Sequence, residues 1–136
     1  MKIVIRVDAS LQMGTGHVMR CLTLAEALKN KGGKVQFICR NHKGNLIKKI
    51  QTSGFNVFSL EVSSNHKCED KLSHSHWLGV TQKQDSDECA LILKNTQSDW
   101  IIIDHYGIDE DWQVALGGYC KKIMVIDDLA DRQFDC

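Results

Sequence analysis

The sequence predicts an α/β domain, a parallel β-sheet with helices packed on both faces. Short β-branched runs alternate with stretches of helical apolar spacing from one end of the chain to the other. Glycines punctuate the joins, as at Gly32-Gly33 and Gly54. Three of the runs end in polar residues suited to chemistry: Asp8-Ala9-Ser10, Asp104-His105-Tyr106 and Asp127-Asp128. Strands that alternate with helices close into a parallel sheet through right-handed crossovers, which makes the predicted domain Rossmann-like.

Lys2–Val7 (KIVIRV) reads as the first strand, compact and β-branched. Val18, Cys21, Leu22, Ala25 and Leu28 follow at helical spacing, and Gly32-Gly33 ends that helix. Residues 35–39 form a second strand and residues 45–53 a helix carrying Leu46, Ile47 and Ile50. Asn56–Leu60 is the third strand. Residues 61–76 are polar and aperiodic, which predicts a loop. A helix over 85–96 precedes the clearest buried strand, 99–104 (DWIIID); a short helix over 109–117 and a last strand over 122–127 complete the pattern. The sequence stops at Phe134-Asp135-Cys136 with no closing helix, so it reads as one half of a larger protein.

The length, 136 residues, corresponds to one domain, with 43% hydrophobic and 25% charged residues in an ordinary globular balance. No apolar run is long enough to cross a bilayer, and the N-terminus reads as a strand rather than a signal peptide, so no membrane is implied and the expected address is cytoplasmic. The six cysteines (21, 39, 68, 89, 120 and 136) form no CxxC pair and are expected to be free thiols. Net charge is zero but uneven: residues 1–68 hold eleven Lys/Arg against three Asp/Glu, and 69–136 hold six against fourteen. A basic half attracts phosphates, although Lys29, Lys31, Lys43, Lys48 and Lys49 also read as solvating helix faces. No basic run is dense or interleaved with aromatics, so no nucleic-acid partner is expected.

In open parallel sheets ligands bind beyond the carboxyl ends of the strands. Gly14-Thr15-Gly16-His17 lies there, between the first strand and the first helix, where glycines let a ligand approach the backbone and helix amides receive an anion. It is neither a GxGxxG fingerprint, since Met19 occupies the third glycine position, nor a P-loop. His17 falls in the first helical turn, and an imidazole suits proton abstraction at neutral pH; a helix-capping role for it stays open. Arg20, one turn on, reads as a phosphate ligand or as the partner of an acid such as Asp8. His66, Cys68, His74 and His76 lie within eleven residues, but their spacing matches no standard zinc pattern, so no metal is expected and a solvated loop is.

The segments Arg6-Val-Asp8-Ala-Ser10 and Gly14-Thr-Gly16-His17-Val-Met-Arg20-Cys21-Leu22-Thr-Leu24-Ala25 resemble the opening of bacterial nucleotide-sugar hydrolases. These enzymes act on UDP-2,4-diacetamido-2,4,6-trideoxy-β-L-altrose in pseudaminic acid biosynthesis. The resemblance continues through Trp77-Leu-Gly79 with Gln82 and Asp85, through 99–106, and into Val125-Ile-Asp127-Asp128-Leu-Ala-Asp131-Arg132. Spore-coat polysaccharide proteins share the same opening.

The resemblance implies the N-terminal half of a GT-B architecture, two Rossmann-like domains facing a cleft, with residues 1–136 as the catalytic domain. The C-terminal domain, which supplies most UDP contacts in the family, lies outside the sequence, so the site implies that domain or a second copy as a partner. His17 matches the catalytic base, activating a water that displaces UDP from the anomeric carbon with inversion. Gly14, Thr15, Gly16, Arg20, Gln82, Asp85 and Tyr106 become candidate contacts for the UDP-sugar. Asp8 and Ser10 would hold the glycine loop and orient His17, Arg20 would pair with Asp8, and His105 would support from behind. Trp77 is expected to pack in the core, with sugar stacking as the alternative. No cofactor or metal is implied. A GT-B glycosyltransferase domain and a non-catalytic sugar-binding fragment remain the alternatives.

Overall fold

The computed structural model describes residues 1–62 and 75–136. Five parallel strands, β1 (Lys2–Val7), β2 (Lys34–Arg40), β3 (Asn56–Leu60), β4 (Ser98–Asp104) and β5 (Cys120–Val125), form one sheet in the order β3-β2-β1-β4-β5. Four α-helices connect them: α1 (Gly16–Asn30), α2 (Ile47–Thr52), α3 (Gln82–Leu93) and α4 (Glu110–Leu116). The strand order reverses between β1 and β4, which creates the switch point where crevices form in this class of sheet. The Rossmann-like α/β architecture predicted from the sequence is the observed one.

Strand alternation explains the two cores. Ile3, Ile5 and Val7 point to one face and pack with Val18, Cys21, Leu22 and Ala25 of α1 and with Ile50 of α2. Val4, Ile101 and Ile103 point to the other, against Cys89 and Leu93 of α3 and Trp112 and Leu116 of α4. No helix among the described residues is long and apolar enough to cross a membrane.

Several element ends differ from the sequence expectation for local chemical reasons. Helix α3 begins three residues early because Thr81 Oγ1 accepts from the Gln84 backbone N–H at 3.1 Å. Thr81-x-x-Gln84 is a capping-box pattern that the apolar spacing concealed. Helix α2 begins at Ile47, where Asn45 Oδ1 accepts from the Ile47 N–H at 3.0 Å. Asp109 caps α4 by accepting from the Asp111 N–H at 2.9 Å. Strand β5 runs over Cys120–Val125, two residues earlier than expected at each end.

The second face carries charge in its middle. Arg6 and Asp8, two residues apart and therefore on one side of β1, are fully buried together with Arg40 of β2 and Asp85 of α3. Arg6 makes bidentate contacts to both acids: Nη1 and Nη2 reach Asp8 at 2.6 and 3.0 Å, and Nη2 and Nε reach Asp85 at 2.6 and 3.1 Å. Arg40 Nη2 donates to Asp85 at 2.6 Å, and Trp112 Nε1 donates to the same carboxylate at 2.7 Å. Burial alone would push both acids up, but Arg6 holds Asp8 well below its ordinary range, and Arg6 with Arg40 lowers Asp85. Two cations and two anions thus meet in one buried network.

Removing one member leaves the others uncompensated. The Asp85→Ala variant is expected to lose about 3–5 kcal/mol of stability, measured by urea denaturation.

Candidate functional site

The site is built where β1, β4 and α1 meet at the switch point. After β1 the chain closes a small loop: Gly14 N–H donates to the Ser10 carbonyl at 2.8 Å and Met13 N–H donates to Ser10 Oγ at 3.0 Å. Ser10 therefore closes the glycine loop through both its carbonyl and its hydroxyl. Gly14 has φ +73°, a left-handed conformation that favours glycine. A Cβ on Gly16 would meet no atom within 4 Å, so the protein's own packing does not require glycine at that helix start.

His17 follows in the first turn of α1. Its Nδ1 lies 2.6 Å from Asp104 Oδ1 at the end of β4. A carboxylate at that distance assigns the proton to Nδ1, which donates, and leaves Nε2 as the basic nitrogen. No hydrogen bond among the described residues occupies Nε2. Arg20 Nε and Nη2 donate to the two oxygens of Asp104 at 2.5 and 2.6 Å. Burial opposes ionisation of Asp104, but Arg20 and His17 hold it below the usual carboxylate range, so it stays an anion. Cys21 lies beside it, its thiol pushed up by burial and by the Asp104 charge, and is inert as a nucleophile.

An aromatic wall flanks the imidazole. The Tyr106 ring meets His17 edge-on at 4.4 Å between centroids, and Trp77 stacks on Tyr106 at 6.0 Å with an interplanar angle of 26°. The Tyr106 hydroxyl donates to Asp128, which raises the phenol and lowers the acid. Arg20 Nη1 reaches the other oxygen of Asp128 at 3.4 Å.

The structure corrects several assignments. Arg20 pairs with Asp104 and Asp128, not with Asp8, because Arg6 and the His105 side chain already saturate Asp8. His17 is oriented by Asp104 rather than by Asp8, since Asp104 lies level with Val7 on the α1 side of the sheet while Asp8 points with Arg6 to the other side. Asp85 is fully buried between Arg6, Arg40 and Trp112 and has no surface left for a ligand. Trp77 is half-buried against Tyr106, while Leu78 and Trp112 fill the core beneath. Gln82 accepts from the Asp109 N–H at 3.0 Å through its side-chain carbonyl, linking α3 to the cap of α4. Thr15 and Gly16 are exposed at the start of α1, and Thr15 is its N-cap.

The tautomer of His105 is defined by its partners. Its Nδ1 accepts from the Gly107 N–H at 2.9 Å, so Nε2 carries the proton and donates to Asp8 Oδ2 at 2.8 Å. His42 adds a second contact to the same oxygen at 3.3 Å, and a Cβ on Gly79 would come within 2.7 Å of its ring, so the turn after Trp77 closes tightly over it. Among the described residues no group of three or more His, Cys, Asp or Glu is arranged to hold a metal ion. Of the histidine-rich loop, His66, Cys68 and His74 lie outside the described residues.

Asp104 in its structural role, Asp128 and Arg132 were not among the site residues chosen from sequence. The signal that could have found Asp104 is its place one strand from β1 at the switch point, directly opposite Val7 in the register.

Burial holds the His105 imidazole below its ordinary value, against the pull of Asp8. An unfolded histidine takes up its proton near pH ~6.5, so the stability that neutral His105 contributes is complete above that pH. It falls as pH drops toward the lower folded value, with a limiting slope of about 1.4 kcal/mol per pH unit. Urea denaturation between pH 7 and pH 5 is expected to show this loss, and His105→Gln to flatten it.

Comparison with known proteins places the chain beside two longer relatives. It is 32% identical over 128 residues to the uncharacterized protein MJ1062 of Methanocaldococcus jannaschii, covering 93% of this chain and 22% of that protein. It is 30% identical over 111 residues to the UDP-2,4-diacetamido-2,4,6-trideoxy-beta-L-altropyranose hydrolase of Campylobacter jejuni, covering 82% of this chain and 30% of that enzyme. No protein-family model matches. The chain thus spans less than a third of each relative, and what it shares with the hydrolase is most of its own length.

Proposed function

We propose that this chain is the catalytic domain of a nucleotide-sugar hydrolase of GT-B architecture, acting on UDP-2,4-diacetamido-2,4,6-trideoxy-β-L-altrose or a close relative. The observation that carries the reading is His17 at the switch point with Nδ1 locked by Asp104 and Nε2 left as the base. The similarity to a UDP-sugar hydrolase over 82% of the chain supports it.

In this mechanism His17 Nε2 takes a proton from water as the water oxygen bonds to the anomeric carbon. The bond from that carbon to the UDP oxygen breaks on the opposite face, so the sugar leaves with inverted configuration and UDP leaves as an anion. Asp104 stabilises the imidazolium formed in the step and keeps its ring in place. The first amides of α1, beyond Gly14, Thr15 and Gly16, are suited to the diphosphate. Arg20, whose side chain is 35% exposed, adds positive charge at the same edge. Tyr106 and Gln82 stand at the rim as candidate contacts for the sugar. A second domain, or a second copy, completes the cleft from the open side and supplies the remaining uridine contacts.

The decisive experiment measures UDP release by NMR from the altrose-configured UDP-sugar, using this chain and, in parallel, a protein of the relatives' full length. His17→Asn and Asp104→Asn are each expected to lower turnover by about 10²-fold or more, with far-UV circular dichroism unchanged; near-normal turnover in His17→Asn would exclude the base assignment. Gly16→Ala tests the anion site separately. The open space around Gly16 predicts an intact fold, and a diphosphate approaching that backbone predicts a KM raised by about tenfold, equivalent to about 1.4 kcal/mol of binding.

A further inference from the structure

Arg132 lies outside every contact assigned above, yet its side chain is only 1% exposed. Its donors all point to one purpose. Nη1 donates to the carbonyls of His105 and Ile108, the latter at 2.7 Å, and so grips both ends of the turn that carries Tyr106. Nη2 donates to Asp127 at 2.6 Å and Nε to Asp131 at 3.1 Å, which ties the same guanidinium to the segment bearing Asp128. The planar group also lies over the Tyr106 ring at 5.5 Å and over Phe134 at 5.3 Å. Asp128 in turn accepts from the Tyr106 hydroxyl and from Arg20.

The Tyr106 ring, besides stacking on Trp77, is therefore held by its flanking backbone, by its hydroxyl and by a cation on its face. It is the ring whose edge-on contact with His17 measures 4.4 Å. The turn at 105–108 also makes its own backbone bond from Ile108 N–H to the His105 carbonyl. A lysine has one ammonium and lacks the planar fork needed to reach two carbonyls and two carboxylates at once.

We infer that Arg132 is a positioning residue for His17, acting through Tyr106: it clamps the 105–108 turn to the 127–132 segment and so fixes the aromatic ring that confines the imidazole. The inference rests on the proposed role of His17 for its consequence in catalysis, but the clamp itself is a property of this chain alone.

The test reads the His17 ring directly. In proton NMR of the chain, the His17 Cε1–H signal, assigned by its loss in His17→Asn, carries a ring-current displacement from Tyr106, and Tyr106→Leu gives the undisplaced position. Arg132→Lys is expected to move the signal most of the way to the Tyr106→Leu position while far-UV circular dichroism stays that of the parent. Should Arg132→Lys fail to fold, Asp127→Asn, which removes one carboxylate from the clamp and leaves the cation in place, is expected to move the signal in the same direction. A His17 signal unmoved in the folded variant, with amide shifts confined to residues 127–136, would overturn the inference and leave Arg132 as a fastener of that segment only. Where the parent turns over UDP-sugar, Arg132→Lys is further expected to lower kcat by about tenfold with KM changed less than about twofold, the pattern of a displaced base. Absence of turnover in the parent would count against the hydrolase reading and leave the NMR result standing by itself.

Discussion

The fully buried Arg6 guanidinium is the constraint around which this domain is assembled. A cation in the middle of a sheet face is tolerated only when its charge and its donors are matched. Asp8 and Asp85 meet both requirements, with Arg40 as a second cation and the Trp112 indole as a neutral donor to the same carboxylate. The network joins β1, β2, α3 and α4, so the register of two central strands and the placement of both helices on that face depend on one set of charges. It specifies how α3 sits on the sheet, because Asp85 reaches Arg6 and Arg40 together only with that helix face turned inward. Hydrophobic packing alone would admit neighbouring arrangements of similar area.

The candidate site lies on the other side of the sheet, at the ends of β1 and β4. Asp104 and His105 are consecutive at the end of β4, and they serve different halves of the molecule: Asp104 turns to α1, where it binds His17 and Arg20, and His105 turns to Asp8 and the buried network. The core thereby supports the site through the backbone of one dipeptide, with each imidazole in a defined tautomer. His105 donates from Nε2 to Asp8, while His17 donates from Nδ1 to Asp104. Two histidines at one sheet edge take opposite roles because the acids that meet them approach opposite nitrogens.

Asp104 is shared between a histidine and an arginine, which sets it apart from a carboxylate that serves an imidazole alone. The arginine holds the acid ionised and places a cation beside the imidazole. The same arginine reaches Asp128, and Asp128 reaches Tyr106, so the polar contacts return to the aromatic wall that flanks His17. The site is thus continuous from α1 through β4 to the segment after β5.

Much of the domain was legible in the sequence. Alternating β-branched runs and helical spacings predicted all five strands and all four helices, since period two and period 3.6 are imposed by backbone geometry before any tertiary contact forms. The GTGH turn marked the glycine loop at the start of α1, because a strand-to-helix join with two glycines is a local feature. Ends of elements were less accurate where a side chain decided them, as when Thr81 rather than apolar spacing began α3. Pairing lay beyond local reading. Arg20 could be matched with an acid but not with the correct one, because Asp8 and Asp104 both end strands beside β1's helix, and only the sheet order β2-β1-β4 with its up-and-down alternation turns one carboxylate toward α1 and the other toward α3. Asp85 looked like a ligand contact from its place near Trp77 and Gln82, and the fold turned it inward because Arg6 required an anion there. The sequence determined which elements exist and where the reactive groups cluster along the chain; the tertiary structure decided which charge meets which, since side-chain partners across a sheet are set by strand order and facing direction rather than by distance in sequence.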